Sequence, residues 1–150
     1  MIFLLDSNTV SDFYDRKSTG HQKIYEHLIL LPSRSRVLIS VLSLYEFEYG
    51  YANATDALRP LIRAKITDAQ NDFELLPLSC TGAWRFGEIK AMLKNQRGIS
   101  TENIKKHNID LMFAAEAIAH DLVLVSADGI FEDIQRFQPE LKLENWLTSS

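Results

Sequence analysis

The chain has 150 residues, of which 46% are hydrophobic and 24% charged, and its formal net charge at pH 7 is −4. This composition is that of an ordinary soluble globular protein, and the length predicts one domain over residues 1–150. The acidic balance argues against unspecific nucleic-acid binding, which depends on neutralising phosphates with Lys and Arg.

The sequence disfavours both a membrane protein and a secreted protein. Its longest apolar runs, LILL and VLISVL, fall far short of the ~20 residues that a membrane-spanning helix needs. The N-terminus has neither the basic region nor the apolar core of a signal peptide. The single cysteine, Cys80, can form no intramolecular disulfide and is predicted to be a small core residue. We therefore expect a cytoplasmic protein without membrane contact.

Five short apolar runs predict β-strands. Most are continuously apolar rather than alternating, which is typical of strands that are covered on both faces. The predicted strands, in chain order, are Ile2–Leu5, Val37–Val41, Leu75–Leu78, Leu122–Val125 and Leu141–Leu143.

Segments with helical character lie between these runs, and the last of them is rich in alanine, as in a helix packed closely on a sheet. The predicted helices are Asn8–Arg16, Gln22–Leu31, Leu44–Tyr51, Asp56–Phe73, Ala83–Gln96 and Asp110–Asp121. Strands that alternate with helices predict an α/β fold, a three-layer sandwich in which a parallel five-stranded sheet is flanked by helices.

Four acidic residues are predicted to meet at one edge of this sheet. Asp6 follows the first strand, and Glu46 is expected in the first helical turn after the second strand. Asp110 begins the alanine-rich helix, and Asp128 comes just after the fourth strand. In a parallel sheet with connecting helices, strand ends and helix starts share one edge, where ligands bind.

Carboxylates gathered in this way repel one another, by about 4 kcal/mol for a pair ~4 Å apart at an effective dielectric of 20. Helix N-termini offset only about 0.3–1 kcal/mol for each acid. Without a cation, at least one acid would be protonated, with a raised pKa. An all-oxygen site selects Mg²⁺ or Mn²⁺, whose open positions suit hydrolysis of a phosphodiester.

Glu46 has a second interpretation. It follows Ser43 by three residues, as in a capping box, where the glutamate only satisfies a backbone N–H at the helix start. Both interpretations stay open on sequence alone. Two other acids are expected outside the site, since Glu48 lies about 200° around the helix from Glu46, and Glu116 is predicted to be solvated.

Basic residues are concentrated in the second half of the chain. Lys90, Lys94 and Arg97 follow one another at helical spacing, and Lys105 and Lys106 come shortly after. The charge pattern favours a solvated helix face, and a local basic rim for nucleic acid is the alternative.

Four segments in this order resemble the successive motifs of PIN-domain ribonucleases, most closely the VapC-like toxins of bacterial toxin–antitoxin modules. The resemblance spans residue 2 to about residue 147, in the segments FLLDSNTVSDF, LISVLSLYEFEYG, NIDLMFAAEAIAHDLVLVSADGIFEDI and LKLENW. Two positions depart from the family pattern. Ile130 stands where members often carry an Asp, and Ile109 where they often carry an Asn.

The resemblance implies the roles of the site residues. Asp6, Glu46, Asp110 and Asp128 are the expected catalytic residues, with Asp6, Asp110 and Asp128 as the expected metal ligands. The expected supporting residues are Ser7, Asn8, Ser43 and Ser126.

The resemblance also implies an activity and partners. The activity is Mg²⁺- or Mn²⁺-dependent endoribonuclease action that leaves a 3′-hydroxyl and a 5′-phosphate, on exposed loops of structured RNA such as transfer or ribosomal RNA. The implied partner is an antitoxin whose C-terminal segment covers the acidic site, and a homodimer is expected.

Two other classes of function are compatible with parts of the pattern. A non-catalytic module on the same fold would use the acids only to bind a cation or a protein. An aspartate phosphatase would need an acid two residues after Asp6, where Asn8 stands. A phosphotransfer domain would need an acid at the end of the third strand, which instead ends in LPLSC.

Overall fold

The computed structural model describes residues 1–97 and 101–148 of the protein. Strands and helices alternate along this part of the chain, which contains five strands and eight helices. The elements are β1 (Ile2–Leu5), α1 (Ser7–Tyr14), α2 (Thr19–Leu30), β2 (Arg36–Ser40), α3 (Val41–Ala52), α4 (Arg59–Asp72), β3 (Glu74–Leu76), α5 (Cys80–Arg97), α6 (Thr101–Lys105), α7 (Asn108–Ala119), β4 (Val123–Val125), α8 (Ile130–Phe137) and β5 (Lys142–Glu144).

The strands form one parallel sheet in the order β3-β2-β1-β4-β5. The chain moves outward from β1 through β2 to β3 and then returns to place β4 on the other side of β1. Leu5 therefore lies between Ile39 of β2 and Val125 of β4. The strand order reverses between β1 and β4, and ligands bind at such a point at the carboxyl ends of the strands. The predicted fold class is confirmed.

Both faces of the sheet are covered, which explains the continuously apolar strands. Phe3 and Leu5 of β1 pack with side chains of helices α1 to α4 and with Trp146. Leu4 points to the opposite face and packs with side chains of helices α5 to α8. Because successive strand residues face opposite sides, a strand buried on both sides must be apolar throughout.

Two helices of the described chain, α6 and α8, are absent from the sequence prediction. The signal for α8 is present in the sequence, since Phe131 and Ile134 are buried and Ile130 and Phe137 pack beside them. This spacing of i, i+1, i+4 and i+7 is typical of an amphipathic helix. The short α6 has only five residues.

One prediction about the core is wrong. Cys80 is exposed, because it is the first residue of α5 and lies at a helix end that faces solvent. No helix of the described residues is both long and apolar enough to cross a lipid bilayer.

Candidate active site

Asp6 is held rigidly where β1 ends and α1 begins. Its side chain caps α1, since Oδ1 accepts a hydrogen bond of 2.9 Å from the backbone N–H of Thr9. Oδ2 accepts a second bond, of 2.5 Å, from the Ser126 hydroxyl. Asp6 is only 5% exposed, and this burial raises the pKa of its carboxyl. The bonds from Ser126 and Thr9 oppose the rise, and the nearby charge of Asp128 adds to it.

The end of β4 supplies the second part of the site. Ser126 is buried there, and its hydroxyl also accepts a hydrogen bond of 3.0 Å from the backbone N–H of Asp128. The exposed Asp128 side chain accepts a bond of 3.1 Å from the backbone N–H of Ile130, at the start of α8. One serine thus connects the backbone at Asp128 with the carboxylate of Asp6.

Glu46 does not belong to a capping box. Helix α3 begins at Val41 directly after β2, and its cap is Ser40, whose hydroxyl accepts a bond of 3.0 Å from the N–H of Leu42. Glu46 is therefore the sixth helical residue and lies in the second turn rather than in the first. Of the two interpretations that the sequence left open for Glu46, the capping box at Ser43 is therefore excluded, because strand and helix follow each other without a loop.

Two serines orient Glu46 instead. The Ser7 hydroxyl donates a hydrogen bond of 2.6 Å to Glu46 Oε1 and lies 2.8 Å from the Ser43 hydroxyl. Because Ser7 has only one hydroxyl proton, Ser43 is the donor between the two serines. This relay joins α1 to α3 and fixes one oxygen of an otherwise exposed carboxylate.

Asp110 lies in the first turn of α7 and is half-buried. Its Oδ2 is 3.4 Å from Nδ1 of His107. Burial is the main reason that the pKa of Asp110 is raised; His107 lowers it, whereas the charges of Asp128 and Asp6 raise it further. His107 was missed by the sequence analysis, although its spacing of three residues from Asp110 within one helical turn was a usable signal.

The four predicted acids line one open pocket of about 240 Å³. Its lining residues are Asp6, Ser7, Asn8, Glu46, Lys106, Ile109, Asp110, Phe113 and Asp128. Of the predicted supporting residues, Ser7 and Asn8 face this pocket directly. Ser43 and Ser126 are buried behind it and act through Ser7 and Asp6. The predicted convergence of the acids on one edge is therefore present in the structure.

The donor set of this pocket fits a hard divalent cation. It offers carboxylate, hydroxyl and amide oxygens, which Mg²⁺ and Mn²⁺ prefer. Within residues 1–97 and 101–148, no three His, Cys, Asp or Glu side chains stand close enough to hold one ion between them. Mg²⁺ commonly binds through one or two carboxylates and keeps several waters. The ligand set Asp6, Asp110 and Asp128 stays a prediction.

Comparison with known families matches residues 3–136 to the PIN domain. The chain belongs to the PIN-domain family. The parallel five-stranded sheet flanked by helices is the fold of this family. No curated protein sequence matches the chain significantly.

Several solved structures similar to this PIN domain are VapBC assemblies. VapBC2 from Rickettsia felis, bound to a promoter DNA fragment, shows 27% identity and a TM-score of 0.78 over 97% of this chain and 99% of that chain. VapBC from Salmonella typhimurium, also bound to DNA, shows 26% identity and a TM-score of 0.75 over 97% and 98% of the two chains. VapBC-1 from nontypeable Haemophilus influenzae, at 19% identity and a TM-score of 0.77 over 99% and 100%, supports the fold. The resemblance to VapC-like PIN toxins, a group of nucleases, is confirmed.

The two acids expected outside the site have different surroundings. Glu48 faces away, as predicted, and pairs with Arg63 through bonds of 2.8 and 2.9 Å. Glu116 was predicted to be solvated, and this is wrong, since it is 2% exposed. It accepts two bonds of 2.9 Å from the N–H and hydroxyl of Ser79 and lies 3.1 Å from His120. Glu116 thus fastens the start of α5 onto α7, away from the four acids.

Proposed function

We propose that this PIN domain is a Mg²⁺- or Mn²⁺-dependent endoribonuclease that acts as the toxin of a toxin–antitoxin pair. The observation that carries the proposal is the gathering of four acids around one pocket at the point where the strand order of the sheet reverses. Two of these acids have a raised pKa to which neighbouring acids contribute, so their charges already interact across the pocket. A bound cation would favour their ionised forms.

In this proposal each acid has a defined task. Asp6, Asp110 and Asp128 hold the ion, directly or through water. When bound, the ion supplies a Lewis acid for the phosphate and lowers the pKa of a water molecule. Glu46, fixed by Ser7, accepts a hydrogen bond from the attacking water and orients it toward the phosphorus. Ser126 and Thr9 keep Asp6 in one orientation, so its geometry is set before the substrate arrives.

Exposed aromatic rings on the helix that carries Glu46 support single-stranded RNA as the substrate. Tyr45 and Tyr49 are 74% and 73% exposed, and they lie on α3 one residue before and three residues after Glu46. Unpaired bases of RNA loops stack on such rings, whereas the bases of a duplex are already stacked on one another. The tyrosines therefore favour loops of structured RNA, such as those of transfer or ribosomal RNA.

Purified protein provides the direct test of the chemistry. We expect cleavage of structured RNA that requires added Mg²⁺ or Mn²⁺ and stops with EDTA. Asp6→Asn keeps the helix cap but removes a charge, and should reduce the cleavage rate by about 10² or more. Asp56→Asn makes the same change at a fully exposed position and should leave the rate unchanged. Metal binding without turnover on any RNA would favour the non-catalytic module instead.

The partner that we propose is an antitoxin that lies along α1 and reaches the acids with its C-terminal segment. The similar structures are VapBC complexes. A groove of about 640 Å³ runs between α1 and α4, where Leu58 and Leu61 are 51% and 68% exposed. Ser11 lines this groove and also a neighbouring one that contains Asn8 and Asp128. A basic side chain of the partner would replace the cation among the acids.

A homodimer is also proposed, and sedimentation equilibrium would test it.

A further inference from the structure

Lys106 is the one basic residue among the described residues that line the acidic pocket. It lies in the turn between α6 and α7, directly before His107. Its side chain is exposed, and no hydrogen bond or ion pair joins it to another described residue. Among the four acids of the pocket, Asp110 lies nearest to Lys106 in sequence, and it is instead approached by His107. The Lys106 ammonium is therefore available at the wall of the pocket.

A polyanionic substrate needs such a cation. Four carboxylates line the pocket. They would repel those phosphates of an RNA strand that lie too far from the metal for its charge to offset the charge of the carboxylates. A Lys ammonium ~4 Å from a phosphate contributes about 1 kcal/mol in water and about 4 kcal/mol at an effective dielectric of 20. The net charge of −4 means that the surface as a whole does not supply this attraction.

We propose that Lys106 binds a phosphate of single-stranded RNA next to the scissile bond, and so sets the position of the strand over the acids. This inference rests on the proposed ribonuclease function, but it concerns substrate binding rather than the hydrolytic step. The charge pattern of the sequence favoured a solvated helix face for the basic residues between Lys90 and Lys106. Lys105 fits that interpretation, since it ends α6, is exposed and does not line the pocket.

The neighbouring lysines allow a matched test. Lys106→Gln and Lys105→Gln are introduced into the Asp6→Asn protein, and binding of a fluorescent single-stranded oligoribonucleotide is measured by anisotropy over a range of salt concentrations. We expect Lys106→Gln to raise the Kd about three- to tenfold at low salt and to reduce the slope of log K against log salt by about 0.7, as for one lost phosphate contact. Lys105→Gln should change neither value, and Lys106→Arg should restore binding.

The same variants in the protein with Asp6 intact separate binding from chemistry. If Lys106 contacts the phosphate equally in the ground state and the transition state, Lys106→Gln raises KM and leaves kcat unchanged. If the melting temperature of Lys106→Gln equals that of the parent protein within error, the variant is folded. If Lys106→Gln does not fold, Lys106→Arg is used for the comparison.

Equal RNA affinity and equal salt slope for Lys106→Gln and Lys105→Gln would overturn the inference, even if the parent protein cleaves RNA. An unchanged RNA affinity together with tighter Mg²⁺ binding would also overturn it, because Lys106 would then only balance the charge of the acids. Failure of the proposed function gives a different result, namely no cleavage of any RNA by the parent protein.

Discussion

At the scale of single residues, Asp6 shows how a buried acid is prepared for a charged state. Burial favours its neutral form, while two hydrogen-bond donors, the Thr9 N–H and the Ser126 hydroxyl, favour the carboxylate. The balance leaves the pKa raised above its ordinary value of 3.8. A cation among the acids would lower this pKa, so metal binding and the ionisation of Asp6 assist each other.

The pH dependence of cleavage should therefore respond to Ser126. Ser126→Ala removes a hydrogen bond that favours the ionised form of Asp6, which raises the pKa of that carboxyl further. Because the reaction needs the carboxylate, activity should be lost at acidic pH and should recover as the pH rises. The acidic limb of the pH–rate profile should move to higher pH. On that limb, the cleavage rate at a given pH should fall by about tenfold or more, since a hydrogen bond to a charged group contributes about 1.5–3 kcal/mol.

Ser33→Ala, at an exposed loop position, is the control and should reproduce the parent profile. A Ser126→Ala profile that is lowered equally at every pH would contradict the role given to this hydrogen bond.

At the scale of elements, α3 carries serines with different tasks at its start. Ser40 caps the helix, whereas Ser43 is fully buried and bonds to Ser7, which in turn holds Glu46. Sequence spacing alone suggested Ser43 as the cap. The relation between Ser7 and Glu46 joins residues that are 39 positions apart, and no local pattern could predict it.

We expect the two serines to separate stability from activity. Ser40→Ala should reduce the free energy of unfolding by about 1 kcal/mol, the usual cost of a lost N-cap, and leave kcat nearly unchanged. Ser43→Ala should release Ser7 and Glu46 and reduce kcat by about tenfold or more, because the orientation of Glu46 is lost. Chemical denaturation and cleavage kinetics on the same samples measure both effects. Equal kcat values for the two variants would contradict the relay.

Other elements differ in how far the sequence determines them. The bounds of β1 agree with the apolar run Ile2–Leu5, because burial on both faces leaves no choice of residue. Helix α8 was missed because it is only eight residues long, although its apolar residues are well spaced. Glu116 was misjudged since its partner, Ser79, lies 37 residues earlier in the chain, directly before α5. Patterns of burial are readable from a sequence, whereas partners of buried polar groups are set by packing.

At the scale of the whole molecule, the fold places two surfaces side by side. The acid pocket opens at the carboxyl ends of β1 and β4. The groove between α1 and α4 shares Ser11 with a second groove, which contains Asn8 and Asp128 of the acid pocket. A partner bound in the groove can reach the pocket without a change in the sheet. This arrangement permits inhibition of the nuclease while the fold stays the same.

The groove gives a prediction about the antitoxin. Leu61→Glu places a charge on its apolar surface and should weaken antitoxin binding tenfold or more, with RNA cleavage by the free protein unchanged. Leu30→Glu makes the same change at an exposed position at the end of α2, outside the groove, and serves as the control. Calorimetric titration with the proposed antitoxin measures the difference. Equal affinities for the two variants would exclude the groove as the binding surface.

The central claim is that Asp6, Glu46, Asp110 and Asp128 act as one centre that cuts RNA. Sequencing of RNA 5′-ends after induction tests it most directly, with the parent chain, Asp6→Asn and Asp56→Asn expressed at matched levels. We predict new 5′-phosphate ends within a few RNA loops for the parent chain and for Asp56→Asn, and their absence for Asp6→Asn. The same ends at the same abundance with Asp6→Asn would contradict the claim.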